Sequence, residues 1–175
     1  MSHLLPAVTA PRAGQTYARF MSDRSHYRID LIAAEVTTEP GVRALGSGDR
    51  DQLPSLMLAA YAGTVDDEGE SLDEAIDEID GWLEHGGRLD RSFGIEIDGA
   101  LCSAALVSIV PKGAILAYVI TRPEQKQQGH GRRVVAGAIE ALRDDGHDEL
   151  HLWITDGNVP SEALFLGLGA ERVDD

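Results

Sequence analysis

The stretch "EQKQQGHGRRVV", residues 124–135, decides how the rest of the chain is read. It follows "AILAYVIT" (114–121), a β-branched and aromatic run of strand type, and leads into apolar residues at helical spacing. A strand that hands over to a helix through glycines leaves a row of main-chain N–H groups without helical acceptors. Those donors, with the positive end of the helix dipole, form an anion site that needs no net positive charge. Glycines at 129 and 131 remove the Cβ atoms that would hold a diphosphate away. Arg132 and Arg133 add cationic cover, or one of them is simply solvated.

This matters because the chain opposes anions as a whole. Acidic residues outnumber basic ones 30 to 15 over 175 residues, a net charge of −15. Such a field repels phosphate backbones and anionic lipid surfaces, so nucleic acid and membrane are excluded as partners, and a neutral or cationic small molecule is favoured. A hydrophobic content of 43% suits one compact domain with a sizeable core. No apolar run reaches the length of a membrane span. "MSHLLPAVTAPRAG" (1–14) lacks a basic leader, which predicts a cytoplasmic protein. Cys102 is the only cysteine, so no internal disulfide forms, and no histidine pair has metal-ligand spacing, which predicts no metal.

Residues 1–40 read as an N-terminal arm and 41–175 as the domain proper. "HYRIDLIAAEV" (26–36) alternates like a half-buried strand, and Val42–Leu45 is a second short one. Leu53, Leu56, Met57, Ala60 and Tyr61 recur at helical spacing. The acidic loop "GTVDDEGE" (63–70) precedes a Ser71/Glu74 capping box and a helix striped by Leu72, Ile76, Ile79 and Leu83, stopped by Gly86-Gly87. "SFGIEIDGALCSAALVSIV" (92–110) is a hairpin turning at Asp98-Gly99. Pro111-Lys112-Gly113 turns into the strand 114–121. A helix over 131–145, the strand "ELHLWIT" (149–155) and a helix within 158–170 complete an order β-α-α-β-β-β-α-β-α. That is an α/β domain on a mixed sheet. Trp82 and Trp153 are expected in its core.

The glycine pair alone fits several phosphate folds. A P-loop needs Gly-x4-Gly-Lys-Ser/Thr, which does not occur. A dinucleotide fingerprint needs a third glycine where Val134 stands. Taken together, "ITRPEQKQQGHG" (120–131) and "NVPSEALFLGLGA" (158–170) resemble the acetyl-CoA signature of the GNAT superfamily of N-acyltransferases. Pro123, Gly129, Gly131, Asn158, Leu164, Leu168 and Gly169 keep the family's register. The resemblance implies a GNAT-like fold: a mixed, largely antiparallel central sheet flanked by about four helices, here with a strand-bearing N-terminal arm.

It also implies a function: transfer of acetyl from acetyl-CoA, the acyl donor substrate, directly to a primary amine of a small molecule, peptide or protein. The main-chain amides of Lys126, Gln127, Gln128, Gly129, His130, Gly131 and Arg132 would grip the CoA diphosphate. The main chain of Val119, Ile120 and Thr121 would pair with pantetheine beside a splayed strand edge, and Asn158 would touch the cofactor from the last helix. An N–H donor fixed at that edge suits an oxyanion forming on the thioester carbon. Lys126 replaces the usual Arg or Gln, Thr121 the usual Val, and Ala170 the usual Phe. Phe165 stands beside the cofactor where many members carry a tyrosine that protonates the leaving thiolate, so the general acid is unassigned. A CoA-binding module without catalysis is the alternative this opens. Direct transfer needs no enzyme nucleophile, and Cys102 reads as a buried structural thiol.

An amine acceptor must lose a proton, so a base is needed. Asp66, Glu68 or Glu70 in the acidic loop could attract a cationic amine or take its proton; the other reading is a solvated loop. Tyr118 could serve as a catalytic hydroxyl or be a half-buried strand tyrosine. Glu96 alternates outward, Asp156 shapes a turn or a site, and His130 and His151 read as packing or strand-face residues. GNAT domains usually add a hairpin after their last helix, whereas "ERVDD" (171–175) is short. The strand near 26–36 is therefore expected beside the C-terminal strand, within its own chain or swapped into a second copy as a homodimer.

Overall fold

The computed structural model describes residues 23–173. Residues 1–22 of the expected arm lie outside the described residues. The elements in chain order are β1 (Arg24–Asp30), β2 (Val42–Ala44), α1 (Leu53–Tyr61), α2 (Leu72–Glu84), β3 (Gly87–Ile97), β4 (Ala100–Val110), β5 (Gly113–Thr121), α3 (His130–Asp144), β6 (Glu149–Thr155), α4 (Val159–Leu166) and β7 (Glu171–Arg172). One sheet runs in the order β2-β3-β4-β5-β6-β1-β7. Every pairing is antiparallel except β5 with β6. This is the mixed, mostly antiparallel sheet with four α-helices that the sequence pattern led us to expect.

Local chemistry sets the boundaries. Asp98 and Gly99 both adopt positive φ (53° and 81°), the geometry a two-residue hairpin needs to follow strand twist. The capping box forms: Glu74 N–H donates to Ser71 Oγ at 3.3 Å, and Ser71 N–H to the Glu74 carboxylate at 2.8 Å. The helix it starts is rotated from the expected stripe. Ala75, Ile79 and Trp82 face inward, whereas Leu72 and Ile76 are exposed. Trp82, fully buried together with Ile79 and Ala75 against the sheet, sets the inward side.

β1 is shorter than the alternation suggested. It ends at Asp30, whose carboxylate accepts the N–H groups of Ile32 (2.9 Å) and Ala33 (3.0 Å), a turn that competes with strand continuation. The strand lies between β6 and β7 of its own chain, with Tyr27 opposite both Leu152 and Arg172. It therefore fills the sheet position beside the C-terminal strand within its own chain.

Two cores result. On one face α3 buries Val134, Val135, Ala138, Ile139 and Leu142 with Tyr27, Ile29 and Phe165. On the other, α1 and α2 bury Leu53, Leu56, Met57, Ile79 and Trp82 against Leu101, Leu106 and Ile120. β4 is covered on both sides, which is why its sequence is a nearly unbroken apolar run. Cys102 is buried there, and burial pushes its thiol up. Trp153 departs from expectation. It is only partly buried, and its indole stacks on His26 with ring centroids 4.5 Å apart, leaving one flank on a cavity. Glu96 is exposed and pairs with Arg43 at 2.9 Å.

Candidate active site

The site begins with a defect in the sheet. In the β4–β5 ladder Leu106 faces Tyr118 but Val107 faces Leu116, so Ala117 is an extra, bulged residue. β5 and β6 pair only at Ala114–Leu150 and Ile115–His151. Beyond that point the two parallel strands part, and among the described residues Leu116–Thr121 have no strand neighbour on the β6 side. The resulting cleft opens into a cavity of about 860 Å³. It is walled by β5, β6, the start of α3, α4 and the α1–α2 loop.

At one end lies the glycine turn. Gln127 and Gly129 both have positive φ (62° and 78°), the left-handed conformation from which main-chain anion nests are built. Among the described residues, the N–H groups of Gln127 through Arg132 have no intramolecular acceptor. A Cβ on Gly131 would meet Leu164 and Val119 only at ordinary contact distances of 3.5 and 3.6 Å, so packing within the chain does not demand glycine there. Open donors, a helix N-terminus and missing side-chain bulk fit a diphosphate group. His130 borders the same cavity, and among the described residues its Nε2 has no partner.

The side chains of the turn are used for structure. Lys126 Nζ donates to the Ala60 carbonyl at 2.7 Å, pinning the turn to the end of α1. Arg132 donates to the Gly167 carbonyl at 2.8 Å, tying α3 to α4. Arg133 turns away to the Pro40 carbonyl, so of the two arginines only Arg132 borders the cavity.

The other end is built from side chains. Asp66 uses both carboxylate oxygens, accepting Thr155 Oγ1–H at 2.6 Å and Asn158 Nδ2–H at 2.8 Å. It thereby latches the α1–α2 loop onto the β6–α4 junction. Asn158 Oδ1 meanwhile caps α4 by accepting Ser161 N–H at 3.1 Å. Asp67 accepts the N–H groups of Gly63 and Gly69, which hold its carboxyl below the usual range. Glu70 accepts the Glu68 N–H at 3.2 Å. Phe165 is buried at the cavity wall and presents no hydroxyl.

Tyr118 follows the bulge directly and projects to the α1–α2 side, where its hydroxyl donates to the Glu78 carboxylate on α2. Tyr61 lies nearby; burial, reinforced by Asp66, Glu78 and Glu70, pushes its phenol well above the ordinary range. The structure thus gathers Tyr118, Asp66, Glu68 and Glu70 around one cavity with the glycine turn. It adds Glu78, Tyr61, Trp153 and Thr155, which sequence reading did not single out. Glu78 sits in "DEAIDEID" (73–80) among other acids of an exposed helix, and no spacing distinguishes it.

Comparison with known proteins gives a consistent outcome. The family described as Acetyltransferase (GNAT) matches residues 55–170. A GNAT-family structure from Novosphingobium aromaticivorans superposes with a TM-score of 0.61 at 21% identity, covering 86% of this chain and 60% of that one. A GCN5-related N-acetyltransferase from Sphaerobacter thermophilus gives 0.68 at 13%, covering 93% and 55%. The PaiA N-acetyltransferase of Thermoplasma acidophilum, solved with coenzyme A, gives 0.56 at 18%, covering 72% and 86%. This chain therefore spans little more than half of the first two proteins. No curated protein sequence matches it significantly. Among the described residues, no helix is long and apolar enough to cross a membrane, and no group of three or more His, Cys, Asp or Glu side chains is placed to hold a metal ion.

Proposed function

The chain belongs to the GNAT family of acetyltransferases, and on that premise we propose that it transfers acetyl from acetyl-CoA directly to a primary amine of a small molecule or peptide. The observation that carries this reading is the parted β5–β6 edge, continuous with the open N–H row of residues 127–132. Main-chain donors there hold the diphosphate, and Val119, Ile120 and Thr121 offer their strand edge to pantetheine. Acetyl-CoA supplies the activated acyl carbon. The chain supplies orientation, a donor edge beside that carbon, and a cavity narrowed by the latched loop. Asp66, with both oxygens engaged, is assigned to holding the loop. Asn158 caps α4 and anchors the latch at the border of the donor cleft.

The test is release of free CoA thiol from acetyl-CoA against a panel of amines, read with a thiol reagent beside a CoA binding isotherm. Cys102, the only cysteine, is buried, so the reagent reads CoA rather than protein. Turnover with any amine supports the reading. CoA binding without turnover favours a non-catalytic CoA-binding module, the alternative that Phe165 motivates by removing a hydroxyl from the cavity wall. Absence of CoA binding sinks both.

A further inference from the structure

We infer that Tyr118 and Glu78 form the subsite for the acceptor nitrogen, Tyr118 touching the amine and Glu78 receiving its proton; this rests on the acetyltransferase reading above. Tyr118 links the open strand edge to α2. Its main chain lies on the open β5 edge just after the bulge at Ala117, and its hydroxyl points to α2. Groups at the reacting carbon and groups that hold the acceptor must meet, and the fold brings them together there. Of the carboxylates bordering the cavity, Asp66 is committed through both oxygens, while Glu68 and Glu70 belong to the loop. Glu78 instead stands on a helix fixed by the buried neighbours Ile79 and Trp82, the rigidity a proton acceptor requires.

The step balances without further reagents. A primary amine is mostly ammonium at neutral pH and enters the step after losing one proton to solvent. The Tyr118 hydroxyl gives its proton to Glu78 and takes one from the nitrogen. The nitrogen lone pair forms the C–N bond as the C–S pair departs with sulfur. Glu78 ends neutral, Tyr118 is unchanged, and the negative charge leaves on the thiolate. Among the described residues, the charged or titratable groups around the pair are Tyr61 from α1, Asp66, Glu68 and Glu70 from the loop, Arg24 from β1 and Lys126 from the glycine turn, all bordering the same cavity. Tyr61 is held neutral by burial and adds an uncharged wall. With Trp153, it frames a site for an amine carried on apolar carbons.

The experiment compares wild type, Glu78→Gln and Tyr118→Phe by calorimetry on the CoA-loaded protein. The probes are phenethylamine, hexylamine and spermidine, with phenethyl alcohol and hexanol as uncharged isosteres. Amines should bind wild type at least about 10-fold tighter than the alcohols, and each substitution should remove about that factor. CoA affinity should stay unchanged, showing that the variants fold. With the amine that turns over best, kcat should fall about 100-fold in Glu78→Gln while CoA affinity holds. Equal amine affinity in wild type and Glu78→Gln overturns the inference, as does a wild type that binds no probe amine. Amine binding that depends on Glu78 without any acetyl transfer leaves the subsite standing and removes the acetyltransferase reading instead.

Discussion

The two ends of the cavity are made of different material. In the proposed reading, the donor end, from Val119 through Arg132, works with main-chain groups set by a bulge, two positive φ angles and a helix start. The proposed acceptor end works with side chains from α1, α2, β6 and the intervening loop. A main-chain site tolerates exchange of its side chains and fails when its backbone is bent. A side-chain site has the opposite sensitivity.

Bending the backbone should have the largest effect. Gly129→Val places a β-branched residue at φ 78°, a conformation costing about 2 kcal/mol or more. CoA affinity should fall about 30-fold by calorimetry. Opening the latch comes next. Asp66→Asn turns an amide toward one of two hydrogen-bond donors and should cost about 1–2 kcal/mol. Amide exchange in residues 63–70 should speed up and the KM for the amine rise, while CoA affinity changes less than about threefold. Exchanging a donor-end side chain is the smallest mutational effect. Gln128 donates only to the Glu124 carbonyl at 3.2 Å, and Gln128→Ala should alter CoA affinity less than about twofold. A large loss there would break the contrast, because it would make the donor end side-chain dependent.

A pH experiment sharpens it from the other side. The Gly63 and Gly69 N–H groups lower the Asp67 carboxyl in the folded loop. A lowered carboxyl contributes order above the unfolded value and loses it as pH falls through the folded one. Loop 63–70 should therefore become more protease-sensitive as pH falls below about 4, while the glycine turn, without a carboxylate in its N–H row, should not respond first. Proteolytic mapping across that range gives the answer. Simultaneous loss of both ends would place their stability in the common core.

Legibility in the sequence follows the same division. The hairpin at Asp98-Gly99, the Ser71/Glu74 cap, the apolar face of α3 and the glycine turn are encoded within a few residues, where backbone preference and periodicity act locally. Alternation alone could not stop β1, because the Asp30 side chain ended it two residues ahead of its own acceptor contacts. Helical spacing offered Leu72 and Ile76 for burial alongside Ile79 and Leu83, and packing against the sheet kept the latter two but took Ala75 and Trp82 in place of the first two. His26 and His151, separated by 125 residues, approach to 3.0 Å only because β1 and β6 pair.

The sequence by itself determined a mixed α/β domain with an anion-ready turn between a strand and a helix, since those features depend on neighbours along the chain. Only the tertiary structure decided that β1 fills the sheet between β6 and β7, that β5 parts from β6 after Ile115, and that Glu78 meets Tyr118. Glu78 and Tyr118 are 40 residues apart. Contacts at that range carry no local periodicity, and are fixed by which faces of helix and sheet bury the most apolar surface together.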